Sequence, residues 1–331
     1  MPRRHLAYAT AVTLTALAAP ARALPPPDPA AIWSLQDENA TITTAPLTDR
    51  FYTNGLRVGW TSPTDFAPAP LATMAHALWG DGRVRISFDL TQQIYTPRET
   101  SVLRAPRGDR PYAGVLLGTF GLQSDTETAR STLSLGLGII GPSALGKQVQ
   151  NGFHDLIGQA PSRGWDSQIR DEPALQLLSS RVWRLKTGTI GGLETEALPA
   201  VTGGVGTLRV YVEGGMTFRI GQGLDADFGA PRLSPGLTGG TAFSRPDRIG
   251  WYVFAGLNGR AVAYDTTLRG SYLQNGPNVK TIPGVGEAQA GIALLILGAR
   301  LTYTHVVQTQ EFRHQRGGLH QFGSLALSVR F

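Results

Sequence analysis

The last part of the chain alternates between apolar and polar side chains with a period of two residues. Leu325, Leu327, Val329 and Phe331 fall on one face, and Ser328 falls on the other. A period of two is that of a β-strand, whose successive side chains point to opposite faces. The sequence therefore closes with a predicted strand that has one apolar face and an aromatic residue at its last position.

The same alternation recurs upstream and predicts twelve strands. Val84, Ile86, Phe88 and Leu90, for example, alternate with polar residues. Long strands of even number with one apolar face favour an all-β fold, a transmembrane antiparallel β-barrel. A soluble β-sandwich, in which the apolar face would pack on a core, is the alternative. The predicted strands cover residues 31–39, 50–61, 82–95, 111–124, 128–140, 174–187, 191–203, 205–220, 248–263, 285–295, 297–310 and 319–331.

The N-terminal residues have the pattern of a secretory signal peptide. Basic residues precede a short apolar segment, and Ala21-Arg22-Ala23 fits a small-x-small cleavage site. The apolar segment is too short and too rich in Thr and Ala for a membrane-anchoring helix. We therefore predict a signal peptide at 1–23, a Pro-rich lead-in at 24–30 and a barrel domain at 31–331.

Charge, cysteine content and the last strand constrain location and partners. The chain has a formal net charge of +6, no cysteine and no block of like charges, so nucleic acid is not a predicted partner. Without disulfides, an exported chain of this length needs another constraint, which a closed ring of strands supplies. A terminal aromatic residue on an alternating strand resembles the signal that the bacterial outer-membrane assembly machinery reads. We predict location in the outer membrane and recognition by that machinery through Phe331.

The connection between the fifth and sixth predicted strands contains a predicted helix with two faces. Ser143 is its predicted N-cap, and Gly158 is its predicted stop. His154 lies on the polar face. We expect the apolar stripe to pack on the barrel wall and to aim His154 across a cleft. That stripe consists of Leu145, Val149, Phe153, Leu156 and Ile157.

The barrel topology predicts that three residues distant in sequence lie at one end. If the first strand runs outward, the connections after the first, third and fifth strands are extracellular. Asn39 then lies at the outer end of the first strand, Thr53 at the outer start of the second, and His154 in an extracellular loop. The connections 62–81 and 221–247 are periplasmic by the same rule, although periplasmic turns are usually short.

Five motifs, in this order and spacing, resemble those of the outer-membrane lipid A 3′-O-deacylase family. The likeness extends over nearly the whole chain after the signal peptide. The motifs are QDENATI at 36–42, DRFYTNGL at 49–56, GDRPYAG at 108–114, IIGPSALGKQVQNGFH at 139–154 and GWDSQI at 164–169.

The resemblance implies a twelve-stranded barrel that removes an ester-linked acyl group from lipid A of lipopolysaccharide in the outer leaflet. It also implies dependence on Ca²⁺, which would polarise the ester carbonyl and hold the developing oxyanion. By position, His154 matches the general base that activates water. Asn39 and Thr53 match residues that line the site and are candidate oxygen ligands of the metal.

The sequence departs from the family pattern at three positions. Ala40 stands where the family has an aspartate on the first strand, and Ala160 stands where some members have a glutamate after the histidine. A lysine of the family in the loop after the third strand has no clear match near Val102. The site then uses another carboxylate, or it has a different arrangement, or the protein is a catalytically degenerate or purely structural barrel. A serine hydrolase is disfavoured because the sequence has no G-x-S-x-G motif. The candidate substitute carboxylates are Asp37, Glu38, Asp155 and Asp166.

Overall fold

A computed structural model describes most of the chain, and the predicted signal peptide lies outside the described residues. Within the described part, none of the helices is long and apolar enough to cross a membrane. The lead-in, 24–30, forms neither helix nor strand. The described residues are 24–43, 50–233, 235, 240–246 and 248–331.

Every one of the twelve predicted strands is present, most of them within a few residues of the predicted bounds. The strand segments are β1 (Ile32–Asn39), β2 (Phe51–Thr61), β3 (Arg83–Thr96), β4 (Ala113–Asp125), β5 (Ala129–Ile140), β6 (Glu172–Trp183), β7 (Leu185–Ile190), β8 (Leu193–Gly206), β9 (Arg209–Gln222), β10 (Gly250–Asp265), β11 (Gly284–Ile296), β12 (Ala299–Gln308) and β13 (His320–Arg330). The helices are α1 (Ala69–Trp79), α2 (Gly146–Leu156) and α3 (Thr266–Arg269).

The strands close into a twelve-stranded antiparallel barrel. Short β7 continues β6, because both pair with β8 and only Arg184 separates them. The pairing of β1 with β13 and of β6 with β8 completes the ring. The backbones of Ala31 and Phe331 exchange two hydrogen bonds, of 3.1 and 2.9 Å. We call this end of the barrel the terminal end and the opposite end the far rim.

The alternation of the sequence separates an outward apolar face from an inward polar face. Leu325 and Leu327 of β13 are 44% and 43% exposed, whereas Ser324 and Ser328 are buried. The Ser328 hydroxyl lies 2.9 Å from that of Ser34 on β1, inside the barrel. The leucines project outward, as expected for a barrel surface that meets lipid.

The described part of the connection between β9 and β10 lies inside the lumen. Near the terminal end, Asp227 of this connection pairs with Arg219 and with Arg300, the latter at 2.9 Å. Farther along, the Arg232 guanidinium lies 2.9 Å from Glu38 and 3.1 Å from Glu287. Glu38 belongs to the far half of β1, so the connection reaches from the terminal end into the far half of the barrel.

The other long connection at the terminal end, between β2 and β3, also packs on the barrel. It contains α1, whose Ala75 is buried against Val84, Ile86 and Leu122. Beside it, Asp28 of the lead-in lies 2.8 Å from Arg85. These contacts account for the length of the segment that follows β2, which is unusual for a periplasmic turn.

Loops at the far rim cover the lumen through a buried ion pair. Arg110, between β3 and β4, lies 2.6 Å from Glu311, between β12 and β13. Arg110 also donates to the Thr267 hydroxyl of α3 at 2.8 Å. Burial raises the pKa of Glu311, but the guanidinium groups of Arg110 and of more distant arginines outweigh it and hold the pKa at about 2. The arginine of the GDRPYAG motif thus has a structural role at the far rim, with Glu311 as its partner.

Candidate functional site

The outward wall of β1 to β4 changes from apolar to polar towards the far rim. The strand register places Asn39, Asn54, Ile94 and Gly114 in one row across the four strands, which we call the Asn39 row. With strands ~4.8 Å apart, this row is about 14 Å wide. In the next outward row towards the terminal end, the β1 residue is Asp37. The rows nearer the terminal end are apolar and include Leu35–Val58–Leu90 and Trp33–Trp60–Phe88.

A β-bulge in β2 fixes Thr53 at the far rim. The ladder between β2 and β3 shifts register between Tyr52 and Asn54, so Thr53 is the extra residue. Its hydroxyl lies 2.7 Å from the Thr96 hydroxyl, and both residues are buried. The Ala40 N–H donates to the Thr53 carbonyl at 3.0 Å. Asn39 and Thr53 are therefore neighbours, as predicted.

The side chain of Asn39 is used to end β1. Its Oδ1 accepts hydrogen bonds from the backbone N–H and the hydroxyl of Thr41, at 2.8 and 2.7 Å. This arrangement is an Asx turn. Ala40, the next residue, faces inward, where it is 1% exposed and packs in a cluster with Tyr52 and Phe322. The position of the family aspartate therefore belongs to the interior of this barrel.

The approach to α2 differs from the predicted capping. Ser143 is not the N-cap, because it lies in a 3-10 turn before the helix and bonds to Asp171 through its backbone and hydroxyl, at 2.8 and 2.7 Å. Leu145, with φ of 61°, caps the helix instead. Gly141 of the I-G-P motif has φ of 119°, and a Cβ there would lie 2.6 Å from the Arg170 backbone. The predicted stop is correct, since α2 ends before Gly158.

Most of α2 is oriented opposite to the prediction, although Val149 of the apolar stripe does pack against Ile94 and Trp165. The polar residues Gln150 and His154 are buried, whereas the apolar Phe153 and Leu156 are exposed, Leu156 by 80%. The helix lies outside the barrel over β3 and β4, where its Gly146 backbone approaches Gly114 closely. The apolar stripe would pack on the wall if the surroundings of the helix were aqueous. An apolar stripe pointing away from the wall suits a lipid surface instead.

The polar face of α2 is bonded to the segment that follows the helix. Gln150 accepts from the Trp165 indole N–H at 2.7 Å. The Asn151 amide makes two hydrogen bonds with the Ser162 backbone, at 2.9 and 3.2 Å. Trp165 is fully buried and packs with Ile94 and Tyr112. The helix and this segment thus form one unit that covers the β3 and β4 positions of the Asn39 row.

His154 is held in one tautomer by the main chain. Its Nδ1 lies 2.8 Å from the carbonyl oxygen of Ala160. A carbonyl oxygen can only accept, so the proton of the neutral ring is on Nδ1 and Nε2 is the basic nitrogen. Ala160 lacks the glutamate side chain of some family members, yet its backbone still orients the histidine. Ile94, which this covering unit contacts, is the row neighbour of Asn54.

Comparison with known proteins agrees with this architecture. A family model described as outer membrane protein LpxR matches residues 6–331.

The chain belongs to the LpxR family.

The family membership that the five motifs indicated is thereby confirmed, and so is the predicted location in the outer membrane. Among solved structures, LpxR from Salmonella typhimurium matches with a TM-score of 0.73 and 21% identity, over 91% of this chain and 100% of that chain. The β domain of the Bordetella autotransporter BrkA gives a TM-score of 0.42 at 12% identity, over 92% of this chain and 98% of that chain. A search of curated proteins finds no match.

The four candidate substitutes for the missing LpxR-family aspartate occupy different environments. Glu38 faces the lumen, where it pairs with Arg232 and accepts from the Tyr52 hydroxyl at 3.0 Å. Asp155 is exposed on α2, and Asp166 is an exposed partner of Lys147 at 2.7 Å. Asp37 alone of the four lies on the outward wall of β1, two residues from Asn39.

The donor set for a cation is therefore sparse but includes suitable oxygens. In the described part of the chain, no group of three or more His, Cys, Asp and Glu residues is arranged to hold a metal ion. Asn39 Oδ1 and the Thr53 hydroxyl already have hydrogen-bond partners, and their role as metal ligands stays a prediction. Asn54 Oδ1 is buried without a partner. Hard oxygens of Asp37 and Asn54 are chemically suited to Ca²⁺.

Several residues of this region escaped sequence reasoning. Thr96 and Asn54 contact predicted site residues only because the bulge and the register bring them there. Trp165 and Gln150 hold α2 against the wall through a bond that links separate segments. The tryptophan of the GWDSQI motif could have indicated this bond, because an indole N–H needs an acceptor when the side chain is buried.

Proposed function

We propose that this protein removes an ester-linked acyl group from lipid A in the outer leaflet, with His154 as the general base. Water attacks the ester carbonyl carbon, and His154 Nε2 takes the proton of that water. The bond from the carbonyl carbon to the glycolipid oxygen then breaks, and that oxygen leaves with the proton that His154 took from water. The products are a free fatty acid and a lipid A hydroxyl, and His154 is neutral again. The observation that carries the proposal is the tautomer of His154, which the Ala160 carbonyl fixes with Nε2 as the acceptor.

The position of His154 in its helix supports the same role. His154 lies in the last turn of α2, where the helix carbonyls point towards its C-terminus. Burial of the ring by the folded-back segment limits its rotation, which keeps Nε2 in one direction.

The surfaces around the histidine suit a lipid substrate with a polar headgroup. The outward rows of β1 to β3 are apolar towards the terminal end of the barrel. Towards the far rim, they carry amide and carboxylate side chains. Phe153 and Leu156 of α2 add an exposed apolar stripe beside these rows. Acyl chains would lie along the apolar rows, and the ester would lie near the polar row at the far rim.

Calcium belongs to the proposal through the family resemblance and the oxygens of the outward wall. When bound, the ion would polarise the ester carbonyl and stabilise the oxyanion. Asp37, Asn54 and the rim residues Asn39 and Thr53 are the groups of this chain that could hold it. The proton transfers of His154 do not depend on the position of the ion.

A catalytically degenerate barrel is the second candidate, and two substitutions favour it. Ala40 has no side-chain oxygen and faces inward, and Ala160 offers only its backbone. A structural barrel would leave lipid A unchanged whatever the metal. Such a barrel would not act as an open pore, because the connection between β9 and β10 is held inside the lumen by ion pairs.

Mass spectrometry of lipid A from cells that express the protein tests the proposal. The wild-type protein is expected to remove one acyl unit in the presence of calcium, and His154→Ala is expected to slow this by about 100-fold or more. His76→Ala, on α1 at the terminal end, is the matched control and should behave as wild type. Unchanged lipid A from cells whose outer membrane contains folded wild-type barrel would support the degenerate barrel.

A further inference from the structure

The helix α1 lies on the outside of the barrel at the terminal end. Its Ala75 packs against Val84 and Ile86, which share the outward face of β3 with the exposed Phe88 and Leu90. The strand β1 begins and β13 ends at this end, which is the periplasmic side of a bacterial outer-membrane barrel. The helix therefore lies at the boundary between the bilayer and the periplasm.

The composition of α1 and of the segment before it suits that boundary. Residues 66–80 contain no Asp, Glu, Lys or Arg. Phe66 and Leu78 are 58% and 53% exposed, and Met74 lies one turn before Leu78 on the same side of the helix. Apolar side chains that project at this level contact lipid, as in helices that lie in the plane of a membrane interface.

A crevice of about 500 Å³ adjoins α1 on the outward wall. It is widened at Gly118, where an added Cβ would lie 3.8 Å from the Leu137 carbonyl oxygen. The Trp60 ring stacks on Phe88 at 6.2 Å between centroids, and Phe88 contacts Phe120 at 5.1 Å. Trp60 and Phe120 also pack against α1, so the crevice and the helix form one surface. The lining side chains are Trp33, Val58, Trp60, Phe88, Leu90 and Phe120.

Tryptophan residues place the entrance of the crevice in the periplasmic leaflet. Trp33 and Trp60 are paired across β1 and β2, one residue from the terminal ends of these strands, and Trp79 is the last residue of α1. Tryptophan rings concentrate at the level of the lipid headgroups. The Asn39 row lies four residues beyond Leu90 on β3, about 13 Å along the strand at ~3.3 Å per residue.

We propose that α1 and the crevice form a binding site for one phospholipid of the periplasmic leaflet. One acyl chain fills the aromatic crevice, and the headgroup lies beside Trp79 at the end of α1. Arg83 at this end already binds Asp65 at 2.8 Å and the Pro25 carbonyl oxygen at 2.9 Å. It therefore does not select an anionic headgroup, and a zwitterionic phospholipid suits the site. The site contains none of the polar groups of the proposed hydrolysis and does not rest on that function.

Native mass spectrometry of the purified full-length barrel tests the site after incubation with equal amounts of phosphatidylethanolamine and lipid A. Wild type is expected to retain one phosphatidylethanolamine. Gly118→Phe is expected to retain at least ~10-fold less, because the ring displaces two or more methylene groups of the chain and each buried one favours binding. Gly214→Phe is the matched control, since an added Cβ there would lie 3.9 Å from the Ala200 carbonyl oxygen on the outward face of β9. It should retain phospholipid as wild type.

Spin labels test the position of α1 in vesicles of phosphatidylethanolamine and phosphatidylcholine. The chain has no cysteine, so Leu78→Cys and Glu127→Cys each carry a single nitroxide. The label at 78 is expected to collide mainly with oxygen, which dissolves in the bilayer. The label at 127, in the exposed turn between β4 and β5 at the same end, is expected to collide mainly with an aqueous nickel chelate.

The outcomes separate the phospholipid site from the proposed function. Wild type that retains no phospholipid, or retains lipid A in its place, overturns the site, and so does a label at 78 as accessible to nickel as that at 127. Phospholipid retention that Gly118→Phe abolishes upholds the site even if lipid A of the cells is unchanged. Gel migration of unheated samples verifies that each variant is folded. If Gly118→Phe does not fold, Gly118→Leu decides, and unchanged retention there overturns the site.

Discussion

Replacing Ala40 with the aspartate of the family should destabilise this barrel without creating a metal ligand. Ala40 is 1% exposed and packs against Tyr52 and Phe322. An uncompensated charge buried there would cost about 3–5 kcal/mol. Arg232 of the lumen lies over the Phe322 ring and already pairs with Glu38.

Ala40→Asn separates the charge from the size of the side chain. A buried amide without partners costs about 1–3 kcal/mol, so Ala40→Asp should be less stable than Ala40→Asn by roughly 2 kcal/mol. Urea unfolding of the purified barrels, followed by gel migration of unheated samples, measures the difference. Calcium titration of the same samples should show no gain in affinity for either variant. An Ala40→Asp barrel that is as stable as Ala40→Asn and binds calcium more tightly than wild type would refute the inward placement of position 40.

Two further predictions concern the loops of the far rim. Gly141→Ala should lower the unfolding temperature strongly, because a Cβ would meet the Arg170 backbone at 2.6 Å. Gly158→Ala, where φ is 70° and the space around the residue is open, should cost only about 1 kcal/mol of stability. Heat-modifiable gel migration measures both, and equal shifts in the unfolding temperature of the two variants would contradict this. Glu311 has a pKa lowered from 4.5 to about 2, so its contribution to stability is present above pH 4.5 and is lost as the pH falls through about 2. Thermal unfolding should therefore depend more steeply on pH in this acid range for wild type than for Glu311→Gln, and parallel curves would contradict the ion pair.

The strands could be predicted because their signal is local. Alternation along a segment such as β13 states directly which residues point outward. The position and end of α2 were equally readable from spacing and from Gly158. Its orientation was not, since the same stripe of Phe153 and Leu156 faces a core in water and faces away from the wall in lipid.

The contents of the lumen and the details of the site depend on contacts between distant residues. Arg232 meets Glu38 only after the barrel has closed, and their separation in sequence hides the pair. Asp37 and Glu38 were both candidates, and as adjacent residues of β1 they point to opposite sides of the barrel wall. Their surroundings in the closed barrel decided between them, because Asp37 lies on the outward face and Glu38 pairs with Arg232 in the lumen.

The outward placement of the Asn39 row determines how any lipid ligand arrives. A molecule in the surrounding leaflet reaches Asn39 and Asn54 sideways, by diffusion in the plane of the membrane, and never enters the barrel. The relevant concentration is then the fraction of the leaflet area that the ligand occupies, and its amount per volume of suspension has no direct effect. Inert lipid or detergent added at constant bulk substrate would dilute that surface and slow the encounter. Crowding of the leaflet with the ligand would saturate the protein even at trace total amounts.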